Sequence, residues 1–408
     1  MGKDRQITGK VGPGPTHVLQ GRRVFLTEHR LRAYPKILIA SYLLSAAIIA
    51  LFLGTDRLPF PRLGTDFVAM YGAGLLAAQG MSAEAYDARI LFDAYREVLP
   101  SVDYVVGWAY PPVILPLFHA LAKLPFALAY TVWMTGTAVF FAITLRPVVR
   151  SGAEGWLIAA APAVVYTVIT GQASFLVAGL IVLFIRLLDD KPARAGIALG
   201  LVCVKPHLTF LFPILVLASR KWRALVTACV SAGALVAFSI LLYGLDPWKI
   251  FLSENPGIVS EVVAGGYVNW RLMSSPFTFA LSLGAARETA MALQVAFSVL
   301  LCGLIVFLLV KGASLRSVAT LSMAAAVPAT PYNFAYDWVL LVLPLLRLAY
   351  EPRVGRLIKT GVILTLYLFP FLMIFVPLGQ NLSFGFLFFL PLLGLLTLIC
   401  WREAVRND

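Results

Sequence analysis

Residues 289–310 read TAMALQVAFSVLLCGLIVFLLV, twenty-two consecutive positions without a charge. A helix rises about 1.5 Å per residue, so a run of this length reaches across the roughly 30 Å hydrocarbon core of a bilayer. Eleven more apolar runs lie around it, at about 37–53, 109–123, 126–145, 156–170, 172–188, 195–219, 222–243, 315–329, 335–349, 357–376 and 383–400. The 408-residue chain is 60% hydrophobic and 13% charged. A soluble chain is roughly a quarter charged and somewhat under half apolar, so the excess here must face lipid. The expected fold is all-α, a polytopic membrane protein with ten to twelve crossings.

Thirty-three Lys and Arg against twenty Asp and Glu give a formal charge of +13. In a membrane protein such an excess is first a matter of sidedness, because cytoplasmic loops collect Lys and Arg, and it names no nucleic-acid partner. Residues 1–36 hold eight basic side chains and two acids and are expected in the cytoplasm, with 37–53 as a retained anchor. The loop 56–108, with seven acids and four arginines, is expected outside, as is a second long loop at 244–285 with Trp248, Tyr267 and Trp270; the 401–408 tail returns to the cytoplasm. Within the first loop, Phe67–Gln79 is too short to span and Ala83–Leu99 is amphipathic, so both are expected as helices along the membrane surface. Two schemes fit the middle of the chain. If every run crosses, Arg146/Arg150 and Lys191/Arg194 fall outside, against the charge rule; if the Tyr110–Lys123 and Lys205 regions re-enter instead, those residues move inside.

No phosphate-binding GxxxxGK[ST] loop, no dinucleotide GxGxxG and no metal-holding DxD pair is present, and the four cysteines are scattered through apolar runs. No metal or cofactor is expected. Attention falls on the polar groups of an otherwise apolar chain. Asp66 precedes an apolar helical run, and two roles fit it: a carboxylate whose proton affinity desolvation raises towards that of a general base, or a helix N-cap. Tyr110 opens Tyr110-Pro111-Pro112, a rigid helix start. Lys205 and His207 interrupt an apolar run around Pro206; an ammonium at that depth costs roughly 2.5–3.5 kcal/mol unless it meets an anion, a cavity or the interface, which points to phosphate or to snorkelling. Arg271 offers a guanidinium suited to phosphate or to lipid headgroups. Tyr332, Asn333 and Asp337 form a polar aromatic turn between two apolar runs, expected on the external side and fit for sugar hydroxyls or simply capped. His119 reads as a packing residue and Gly171-Gln172 as a turn.

The order of these features, Gly64-Thr65-Asp66-Phe67, Gly80 with Ala85-Tyr86-Asp87, Tyr110-Pro111-Pro112, Gly171-Gln172, Ala195-Gly196 to Gly200 with Lys205-Pro206, and Tyr336-Asp337, resembles the GT87 glycosyltransferases. These are membrane enzymes of the GT-C class that include polyprenol-phosphate-mannose-dependent α-1,2-mannosyltransferases. The resemblance covers about residues 35–350. It implies a polyprenyl-phosphate sugar donor, a lipid or glycan acceptor, reaction at the outer face of the plasma membrane, and Asp66 as the catalytic base. One carboxylate suits that chemistry, since phosphate leaves as a stable anion without an acid. Cations such as Lys205 or Arg271 then stabilise the departing charge, and attack opposite the leaving group inverts the anomeric centre. A hexosyltransferase of this kind, with mannose as the sugar by resemblance, stands against two other readings: a lipid or amphiphile transporter, which would also use intramembrane Lys205 and broken helices, and a noncatalytic subunit of an envelope-assembly complex.

Overall fold

The computed structural model describes residues 33–42, 44, 63–100, 102–375 and 382–407. Helix α1, residues 33–42, covers the start of the run expected to be the first anchor; most of the remaining 37–53 run and of the basic N-terminal segment lies outside the described residues. Next come α2 (Phe67–Ala78), α3 (Ala88–Val98), α4 (Leu115–Leu121), α5 (Phe126–Leu145), α6 (Gly152–Ala159), α7 (Pro162–Thr170), α8 (Ser174–Leu187), α9 (Pro192–Leu201), α10 (Leu211–Ala218) and α11 (Trp222–Tyr243). They are followed by α12 (Asp246–Ser253), α13 (Asn255–Ala264), α14 (Pro276–Ser282), α15 (Arg287–Val310), α16 (Leu315–Ala326), α17 (Val342–Ala349), α18 (Arg356–Phe375) and α19 (Gly385–Asn407). The fold is all-helical, and no strand occurs among the described residues.

Among the described residues, five of the apolar runs fold as continuous helices long and apolar enough to cross a bilayer: α5, α11, α15, α18 and α19. The bent pair α6 and α7, which meet at 49°, is apolar enough to count with them, but it ends at the interior Gly171 turn, from which α8 returns to Asp189. The ten to twelve crossings expected from the sequence are therefore not all continuous helices, because several runs are folded back or broken. The reason is visible in which charges meet. Asp189, after α8, lies 3.8 Å from Lys221 and 3.7 Å from Arg316. Arg150, after α5, stacks on Tyr350 at 3.6 Å, and Lys36 lies over Trp156 at 5.3 Å. Arg347 binds Glu351 and, on the last helix, Glu403. Residues 36, 150, 189, 221, 316, 347 and 403 thus share one face of the molecule, the basic one.

This geometry selects the re-entrant scheme. Residues 192–218 leave the basic face and come back to it, with Lys205-Pro206-His207 at the inner tip between α9 and α10. Residues 315–349 do the same: α16 runs in, Tyr332–Asp337 turns, and a 3-10 segment, Ala335–Leu341, leads out through α17. Tyr110–Lys123 forms only the short Pro112–Leu121 helical piece, beside the opposite end of α11, where His119 Nδ1 meets the Tyr243 hydroxyl at 3.1 Å. Broken backbone is tolerated at membrane depth when protein surrounds it. The α9 arm packs on α11 through Gly196 and Gly200, whose bare Cα atoms admit the Ala224 and Ala228 backbone, and Thr227 Oγ1 donates across to the Ala193 carbonyl at 2.9 Å.

The first loop also needs a correction. α2 does not lie on a surface: ten of its twelve residues are buried, and it packs against α3 and α4. A short helix that is apolar on every side belongs in a core. By contrast, α3 is amphipathic as expected, burying Leu91 and Tyr95, and the Asp87 carboxylate caps it by accepting from Arg89 N at 2.8 Å and Ile90 N at 3.1 Å. The second loop is partly helical, through α12, α13 and α14; Trp248 Nε1 donates to Ser239 and Trp270 Nε1 to the Val263 carbonyl, while Tyr267 is exposed.

Candidate functional site

Four turns meet inside the helical bundle. The first, Gly64–Phe67, runs beside the second, Ile169–Ser174: Gly64 N donates to the Ile169 carbonyl at 2.7 Å and Asp66 N to the Thr170 carbonyl at 2.9 Å. Both turns need glycine. Gly64 and Gly171 adopt φ of +83° and +77°, and a Cβ on Gly171 would meet Phe67 Cβ at 2.5 Å. Trp133, seven residues into α5, donates its indole N–H to the Gly171 carbonyl at 2.9 Å. At about 1.5 Å per residue, the turns sit roughly 10 Å inside the end of that span.

Asp66 occupies the N-cap position of α2, but its side chain makes no capping hydrogen bond. Instead Oδ2 accepts from Gln172 Nε2 at 2.6 Å, and Oδ1 accepts a longer bond from Thr65 Oγ1 at 3.3 Å. Burial pushes its carboxyl above the ordinary 3.8, opposed by the Gln172 bond and by Lys205, and assisted by the Asp337 charge. The carboxylate is half-buried, whereas Gln172, Tyr110, Lys205 and Asp337 are buried. Tyr110 donates its hydroxyl to Gln172 Oε1, and burial raises its own proton affinity well above the usual phenol range.

The third and fourth turns bring in the ion pair. Lys205 Nζ lies 2.9 Å from Asp337 Oδ1, with both side chains nearly inaccessible. Ser174 Oγ donates to the same oxygen at 3.0 Å, and Asp337 Oδ2 accepts from Phe334 N at 3.2 Å. Asp337 is therefore both a cap and a counterion. The Lys205 ammonium lies 4.8 Å from the Tyr336 ring centre and 5.9 Å from that of Tyr110, within cation–π range. Tyr336 stacks between Tyr166 and Phe334. His207, half-buried, lies next to Lys205 and Asp337.

Of the residues singled out by sequence, Asp66, Tyr110, Lys205, His207 and Asp337 converge here. Three others do not join them. Asn333 is fully buried and staples the chain, accepting from Ser274 N at 2.9 Å and donating to the Thr330 carbonyl at 3.0 Å. Tyr332 packs edge-on to Phe277 and lines an open cleft of about 930 Å³ together with Ser260, Arg287, Glu288 and Met291. Arg271 sits on the Trp270–Leu272 turn, its backbone N–H bound by Asn269 Oδ1 at 3.1 Å, and that turn packs against α18. Conversely, Gln172 and Ser174 join the site although nothing in the sequence marks them with charge; the positive-φ Gly171 just before them was the available signal.

An all-helical fold whose broken segments meet at an interior acid, amide and ion-pair cluster defines a multi-pass membrane protein with a built polar site. Residues 108–344, more than half of the chain, match glycosyltransferase family 87, and the protein belongs to that family. It is a glycosyltransferase. The matched region includes Tyr110, Gln172, Lys205 and Asp337 and begins after Asp66. No curated protein and no solved structure matches the chain.

Proposed function

We propose that the protein is an inverting hexosyltransferase that moves a sugar, mannose in the first instance, from a polyprenyl-phosphate donor to a lipid or glycan acceptor of the cell envelope. The supporting observation is the half-buried Asp66 carboxylate beside the Lys205–Asp337 pair. In this reading Asp66 takes the proton of the acceptor hydroxyl. The acceptor oxygen attacks the anomeric carbon, the carbon–oxygen bond to phosphate breaks, and the electron pair leaves on the polyprenyl phosphate. Lys205 has three N–H donors, of which Asp337 Oδ1 takes one, so the ammonium can meet a phosphate oxygen without surrendering its counterion. Tyr332 packs with another cluster and Arg271 lies on the turn against α18, so Lys205 is the cation assigned to the phosphate. The positive-inside rule puts the basic face in the cytoplasm and the end of the molecule nearest Asp66 outside the plasma membrane.

The test supplies purified full-length protein in liposomes with a panel of radiolabelled polyprenyl-phosphate sugars and a membrane-lipid extract. Label is expected to move into a new glycoside. Asp66→Asn is expected to lower that transfer by about 10²–10⁴-fold while leaving the protein folded; undiminished transfer removes Asp66 as base. The pH dependence has a definite sign. The base works deprotonated, so kcat/KM is expected to fall as pH drops through the Asp66 pKa, at a pH higher than an ordinary aspartate allows. The two hairpins that re-enter from the basic face also favour a transporter reading. Vectorial movement of the lipid with its sugar–phosphate bond intact would establish that reading instead.

A further inference from the structure

We propose that Gln172 is the positioning residue of Asp66, and that the Tyr110 hydroxyl fixes which end of its amide the carboxylate sees. The inference rests on the reading of Asp66 as the base. A glutamine side chain has a donor end and an acceptor end that are nearly identical in shape, and only one orientation suits a carboxylate. The Tyr110 hydroxyl accepts from the Ala173 backbone N–H and donates its own proton to Oε1, so Nε2 is turned onto Asp66 Oδ2 at 2.6 Å. With the amide reversed, Oε1 would face Oδ2, acceptor against acceptor, and Asp66 would have to hold a proton to relieve the contact.

Every part of this relay is anchored. The Tyr110 carbonyl accepts from the Tyr86 hydroxyl at 2.8 Å. The Gln172 backbone follows Gly171, whose carbonyl is held by Trp133, and Asp66 N is tied to Thr170. Both Gln172 and Tyr110 are buried, so water does not offer the amide another partner. Two consequences follow for the carboxylate. Oδ2 is occupied, which leaves Oδ1, touched among the described residues only by the long Thr65 bond, to receive an acceptor hydroxyl. The donated N–H also favours the anion that a base must be, against the desolvation around it. The other titratable groups bearing on Asp66 are Lys205, which favours the anion, Asp337, which opposes it, and the phenols Tyr110, Tyr166 and Tyr336; His207 lies next to Lys205 and Asp337.

The experiment reads the proton on Asp66 without turnover. Full-length protein in lipid nanodiscs is titrated by infrared difference spectroscopy, with the Asp66 carboxylic C=O band identified by its absence in Asp66→Asn. In Gln172→Met, which keeps the side-chain length and removes the donor, the midpoint of that band is expected to rise by at least about one pH unit, a tenfold gain in proton affinity. In Tyr110→Phe the amide is free to turn, and a smaller rise is expected. A Gln172→Met midpoint equal to that of the unaltered protein overturns the proposal. An unchanged Tyr110→Phe midpoint overturns the anchoring role of Tyr110, and it decides the matter alone if Gln172→Met does not fold. Retained sugar transfer in Asp66→Asn would count against the base and leave the titration standing. A lost transfer with an unshifted band would count only against the amide.

Discussion

Two of the ion-pair groups among the described residues differ in what surrounds them. On the basic face, Lys221 and Arg316 share Asp189 at 3.8 and 3.7 Å, with all three side chains roughly a third or more exposed. In the interior, Lys205 and Asp337 meet at 2.9 Å with side chains 5% and 1% exposed. Exposed pairs are worth little, because water and salt compete for each partner. A desolvated pair contributes little net stability, yet it is costly to break, since removing one partner strands the other. The surface set therefore records which way the chain lies, while the interior set fixes where two re-entrant tips meet.

The largest expected effect tests that contrast directly. Lys205→Met or Asp337→Leu alone is expected to destabilise the protein by about 3–5 kcal/mol, and the double variant to recover most of that loss, read from thermal unfolding in detergent. Full additivity of the two losses would mean that the pair is not a unit. An intermediate effect is expected of Gly171→Ala, which forces a side chain into a left-handed turn against Phe67: about 1–3 kcal/mol of strain. It should also lower sugar transfer beyond the fraction unfolded, because the Asp66 turn moves away from Gln172. The smallest belongs to the surface. Asp189→Asn is expected to cost under about 1 kcal/mol and to become silent at high salt. A cost equal to that of Lys205→Met would erase the distinction between the two faces.

How far the sequence could be read follows the same division. Uncharged runs of twenty residues or more, such as 126–145 and 289–310, could be identified as spans because length alone decides them. The hairpin at 192–218 looks like one crossing to hydropathy, which sums composition and ignores direction. The corrective signal was the charge on either side of it, Lys191 and Arg194 before and Arg220 and Lys221 after, which a single crossing would separate. α2 was misread because it is too short to span, although its uniformly apolar character belongs to a buried helix. Within the site, Lys205 stood out as a cation in an apolar run and Asp66 as an acid at a helix start. Asp66 could equally have been a cap, and only the Gln172 contact separates the two roles. Gln172 itself is neutral and lies in a turn, so no local pattern distinguishes it from a linker residue. Arg271 carried the right chemistry for phosphate but lies on a turn packed against α18, a matter of tertiary placement that spacing does not encode.

The Lys205–Asp337 pair also sets an order on the making of the protein. The two residues are 132 positions apart in the chain. At roughly 5–20 residues per second, a ribosome needs about 7–26 s to deliver the acid after the lysine has emerged. During that interval the hairpin tip holds an ammonium without its anion, and the lysine must wait at the headgroups or in water. The hairpin therefore meets its counterion only after α11 and α15 have been synthesised, and before α18 and α19 follow.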